Sequence, residues 1–137
     1  MFELSEDDRR LWRAFTQGAI SPGEFDHRTH LRLGYMYLAV YGPEAAGPAF
    51  KESLLAYLAH HGIHSGKYHE TLTRAWLLAV WHFMCKAGST ACAEEFLAQS
   101  GLLLSAEVML THYSKNLLFS DLARAQFLAP DLEPIPR

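Results

Sequence analysis

Glycine and serine divide this chain at intervals that suit helices and suit little else. The first stretch, "SEDDRRLWRAFTQG" (5–18), opens with Ser5 as a helix cap, carries acids through its first turn and stops at Gly18. "SPGE" (21–24) repeats the start signal, with Pro at the first helical position and Glu at the third. A short helical turn is expected there, leading into a helix over 26–41 that ends at Gly42-Pro43. The next helix is expected over 43–61, closed by Gly62, then a loop over 63–68. A long helix over 69–87 is closed by Gly88, and Ser89 is expected to cap another near 90–100, closed by Gly101. Further helices are expected near 103–113 and 120–128.

No alternating β-branched runs with hairpin turns occur. The last stretch, "PDLEPIPR" (130–137), holds three of the six prolines and is expected to run extended over the surface, pinned by Leu132 and Ile135. The expected fold is all-α: one domain over 1–137, a compact bundle of five to seven helices with an extended Pro-rich C-terminal tail. A chain of this length buries roughly two-thirds of its unfolded surface.

Charge and hydropathy narrow the function classes. Net charge is −3 with His neutral, and no basic cluster lies on one side, which disfavours nucleic acid as a partner. The longest apolar run, "AWLLAVW" (75–81), is far short of the ~20 residues of a membrane span. "MFELSEDDRR" is acidic and polar, unlike a signal or transit peptide, so a cytoplasmic protein is expected. Cys85 and Cys92 form no C-x-x-C pair and are expected to be reduced, small and buried. No P-loop, nucleophile elbow or dinucleotide glycine pattern occurs. A homo-oligomer face is conceivable over 102–119, which could equally be core.

The eight histidines are the unusual count. On a helix from Asp26, His27 and His30 share an arc with Leu31, Gly34, Tyr37 and Leu38, opposite Arg28 and Arg32. At i,i+3 the two imidazoles are neighbours. On the next long helix, His69 shares an arc with Leu72, Trp76, Val80 and Phe83, while Glu70 is expected to lie over Arg74 toward solvent. The zincin motif H-E-x-x-H is absent, because residue 73 is Thr. His82 falls on a flank. His60, His61 and His64 gather at a helix C-terminus, where cations suit the dipole. His112 reads as half-buried.

Inward imidazoles on two facing helices are how bundles build metal sites. His27, His30, His69 and His112 are therefore the expected ligands of a divalent transition metal. An imidazole-rich set suits Zn, Fe, Cu or Ni better than Mg or Ca. Three ligands would leave a position for water or a small substrate, as in a metalloenzyme, with hydrolysis and oxidation equally open. Arg32, Lys67, Tyr68, Tyr113, Ser114 and Arg124 are the expected contacts to a small-molecule substrate. The alternative is a metal-free module in which the same histidines and tyrosines line a pocket for a small anion.

The segments His27-x-x-His30-Leu31, Lys67-Tyr68-His69-x-Thr71, Tyr113-Ser114 and Ala123-Arg124 followed by Pro130-Asp131-Leu132 resemble a family of small bacterial all-helical proteins, from about residue 22 to the end. The resemblance implies that the histidine-bearing segments belong together, and it implies no reaction. A looser likeness, of architecture only, is to three-histidine metal-binding bundles of the DinB type. The spacing departs from theirs, since no H-x-x-x-H ends this chain.

Overall fold

The computed structural model describes residues 2–136, and among them it is all-α. Six α-helical spans follow in order: α1 (Glu6–Thr16), α2 (His27–His60), α3 (Glu70–Ala87), α4 (Ala93–Gln99), α5 (Lys115–Leu118) and α6 (Asp121–Ala125). Short 3-10 turns at Pro22–Glu24, Ser65–Lys67, Gly101–Leu104 and Ala106–Thr111 connect them. No described helix is long and apolar enough to cross a membrane.

Local chemistry sets most of the boundaries. The Ser5 hydroxyl accepts from the Asp8 amide at 3.1 Å and the Asp8 carboxylate accepts from the Ser5 amide at 3.0 Å, a capping box that starts α1. Asp26 starts α2 by accepting from the Thr29 amide at 2.8 Å. The expected break at Gly42-Pro43 is present inside α2 as a kink, with Gly42 at φ +82°, a conformation that favours glycine. The limbs before and after it, 27–41 and 43–60, run on as one span.

Four boundaries differ from expectation. α4 starts at Ala93 and is capped by the Cys92 sulfur, which accepts from the Glu95 amide at 3.4 Å. Over 101–111 the chain makes two 3-10 turns in place of an α-helix, split at Ser105, whose backbone is extended. Leu103 of the first turn is buried in the main core and Met109 of the second in a smaller one. α5 is an unexpected single turn capped by Ser114. α6 ends at Gln126, which is extended at φ −147°. Both cysteines are free, and Cys85 is exposed rather than buried.

The main core gathers around α2. Trp12 of α1 stacks on Tyr37 at 4.3 Å, Tyr35 stacks on Phe96 of α4 at 5.1 Å, and Phe15 packs against Phe25, Phe50 and Tyr57. Buried Asp8 joins three elements: one carboxylate oxygen also accepts from the Ala93 amide at 3.0 Å, and the other lies 3.8 Å from the Arg32 guanidinium. A second, smaller core of Ala75, Met109, Tyr113, Leu118 and Ile135 lies where the C-terminal segments cross α3. Residues 127–136 carry no helix; Ile135 is buried and holds the tail, whereas the Leu132 side chain is exposed.

Candidate functional site

α2 and α3 pack against each other, and a cavity of about 860 Å³ lies between the start of α2, the C-terminal limb of α2 and the N-terminal part of α3. Phe25, Leu54, Tyr57, Leu72, Trp76 and Met109 supply much of its wall, which is carbon. His27, His30, His69, Lys67 and Tyr68 line the same space, with Thr73 and Glu107. His30, Lys67, Glu107 and Phe119 are exposed, so they mark the side where the cavity meets solvent. The structure therefore gathers three of the four expected ligand histidines and two of the six expected substrate contacts around one cavity.

Each histidine is held by a carbonyl, and a carbonyl only accepts, so the bonded ring nitrogen must carry the proton. His27 donates through Nε2 to the Leu103 carbonyl at 2.9 Å, and its ring meets Trp76 edge-on at 4.6 Å. His30 donates through Nδ1 to the Asp26 carbonyl at 3.1 Å, with Phe25 against it at 4.2 Å. His69 has both nitrogens engaged. Its Nδ1 accepts from the Leu72 amide at 3.1 Å as the cap of α3, so Nε2 is the donor to the Leu118 carbonyl at 2.7 Å.

The surroundings of His30 and His69 favour neutral rings. Desolvation pushes the His30 imidazole below its usual range, and the neighbouring His27 adds to this against the opposing pull of the Asp26 carbonyl. His69 is lowered first by burial, with the Arg124 charge acting the same way and the Leu118 carbonyl opposing. The Tyr68 phenol is pushed well above its ordinary range by burial and by its bond to Glu70 Oε1 at 2.8 Å. Glu70 is not solvated as expected: besides Arg74 at 3.8 Å it pairs with Lys51 at 3.3 Å and turns away little surface to water.

The remaining expected residues lie elsewhere. His112 donates through Nδ1 to the Glu133 carbonyl at 2.8 Å, and its own carbonyl accepts from the Leu132 amide at 3.0 Å. Tyr113 is buried in the second core and donates to the Leu128 carbonyl at 2.7 Å. The Ser114 hydroxyl and amide both bond Asp131, at 2.6 and 2.8 Å. These three consecutive residues fasten the C-terminal tail. Arg32 pairs with Asp8 and Glu94, and Arg124 donates to the Gly66 carbonyl at 3.4 Å. Among the described residues no group of three or more His, Cys, Asp or Glu is placed to hold a metal.

The apolar wall was not foreseen, because a Trp or Leu at helical spacing reads as core whether it touches protein or a void. One signal was available. Gly34 lies on the same face of α2 as His27 and His30, in mid-helix with no positive φ to require glycine, and it lines the cavity. Compared with family models, curated proteins and solved structures, the chain finds no match in any of the three.

Proposed function

We propose that this chain is a binding protein for a small, predominantly apolar molecule seated between α2 and the N-terminal part of α3. The observation that carries the reading is the cavity itself. Close-packed interiors leave few voids larger than a water molecule, whereas ligand sites are clefts of roughly 300–1,000 Å³ with apolar walls and a few placed polar groups. A space of about 860 Å³ walled by Phe25, Leu54, Tyr57 and Trp76, with two half-satisfied imidazoles, matches the second description. The site suits an apolar ligand better than a small anion. Arg32 and Arg124 are occupied away from it, and Lys67 shares the cavity's solvent side with Glu107.

Titration with the neutral fluorophore N-phenyl-1-naphthylamine tests this. One saturable site is expected, with Trp76 quenched in step, and Leu54→Trp is expected to weaken binding at least tenfold while the fold persists. Absence of saturable binding to the folded protein, or binding indifferent to Leu54→Trp, would overturn the reading.

A second reading is a metal-bound form, supported by the neighbouring free nitrogens of His27 and His30 on α2. It requires His69 to give up a backbone bond before it can coordinate at the ~2.0–2.1 Å of a zinc–imidazole bond. Elemental analysis of tag-free protein decides it: one equivalent of Zn, Fe, Cu or Ni, lost in His30→Ala, would establish this reading over the first.

A further inference from the structure

Several polar groups of this cavity are engaged with the protein. Tyr68 donates to Glu70, and His69 uses both its nitrogens. Lys67 and Glu107, of opposite charge, stand on the solvent side. His27 and His30 differ. Each donates one N–H to a carbonyl, and no donor among the described residues reaches the other nitrogen. In a neutral imidazole that other nitrogen is a lone pair. His27 Nδ1 and His30 Nε2 are thus two acceptors one helical turn apart on the lining, beside the exposed ammonium of Lys67. The rings cannot swap tautomers freely, because a swap would set a lone pair against the Leu103 or Asp26 carbonyl. Trp76 and Phe25, packed edge-on, hold both rings in place.

Resting on the reading of the cavity as an apolar ligand site, we propose that its ligand is a hydroxylated ring compound, an otherwise apolar planar skeleton whose O–H is received by His27 Nδ1 or His30 Nε2. Phe25, Tyr57 and Trp76 suit the flat faces and edges of such a skeleton. A carboxylate would set its own lone pairs against those of the imidazoles. An ether offers neither of them a proton, and a site built to hydrogen-bond a hydroxyl rejects the analogue that lacks it.

Three probes of one skeleton, 2-naphthol, 2-methoxynaphthalene and 2-naphthoate, are titrated at pH 8, where a histidine of ordinary pKa is neutral. The naphthol is expected to bind about tenfold tighter than the ether, the upper end of one net hydrogen bond, and tighter than the naphthoate. His30→Phe keeps a ring against Phe25, and His27→Gln keeps a side-chain N–H for Leu103. At least one of the two is expected to shrink the ratio of naphthol to ether affinity, with the fold checked by circular dichroism. Equal affinity of naphthol and ether, tightest binding of the naphthoate, or a preference that survives both substitutions would overturn the hydroxyl assignment and leave the apolar site standing. Failure of all three probes to bind would remove both.

Discussion

His69 joins the start of α3 to the turn at Leu118: its Nδ1 caps the helix while its Nε2–H reaches the Leu118 carbonyl at 2.7 Å across 49 residues of sequence. Both bonds need a neutral ring. Burial holds the folded-state pKa of His69 below the ordinary 6.5, so between that value and the folded pKa the unfolded chain binds the extra proton. Stability is then fullest above pH 6.5 and falls as the pH drops through that window. His30, lowered by desolvation as well, acts in the same direction. Urea melts at stepped pH are expected to show the loss. His69→Asn, which preserves a cap acceptor, should make the dependence shallower while costing about 1–3 kcal/mol for the orphaned Leu118 carbonyl. An unchanged slope would contradict the assignment.

Thr71 has no exposed surface, and its hydroxyl serves the tail twice. It donates to the Gln126 carbonyl at 2.7 Å and accepts from the Leu128 amide at 3.0 Å. Thr71→Val keeps the shape and removes both bonds, leaving two backbone groups without partners. A loss of about 2–4 kcal/mol is expected. Amide exchange at Leu128 should accelerate more than exchange in α1, and uniform acceleration would show that the tail and bundle open together.

Gly34 separates packing from function. A Cβ built there would lie 3.5 Å from Leu77 Cδ2, an ordinary contact, and the backbone is helical. Gly34→Ala is therefore expected to stabilise the protein by about 0.5–1 kcal/mol. Gly34→Leu should push side-chain atoms into the cavity and weaken binding of the neutral fluorophore. Thermal melts measure the first, and titration measures the second. A destabilised alanine variant would mean that glycine is needed for packing rather than for space.

Asp8 is the buried carboxylate on which the N-terminal ends of α1 and α4 converge. Asp8→Ala leaves the Ala93 amide without its acceptor and Arg32 without one of its two carboxylates. A loss of about 2–3 kcal/mol is expected by urea denaturation. Arg28→Ala, at an exposed ion pair with Glu94, should cost well under 1 kcal/mol. Comparable losses in the two variants would deny Asp8 its joining role.

The helices were legible because their boundaries are short-range chemistry. Ser5 with Asp8, Asp26 with Thr29 and Gly42 before Pro43 act within a few residues, and each does in space what its spacing predicts. The errors fall where no local signal competes strongly. Two of them are the 3-10 pair over 101–111 and α4, where Cys92 rather than Ser89 supplies the cap. The helical period brought His27 and His30 to the cavity, but His30 is exposed rather than inward, and His69 is buried as the cap before α3 rather than as part of its helix. What each imidazole does depended on carbonyls that the sequence does not mark: Leu103 for His27, Leu118 for His69 and Glu133 for His112. Periodicity says which way a side chain points. A hydrogen bond's partner, and whether an apolar side chain meets protein or a void, is set by segments brought together only on folding. The sequence by itself therefore determined most of the helices, while the tertiary structure decided that His112 fastens a tail, that His69 caps a helix, and that His27 and His30 line a cavity.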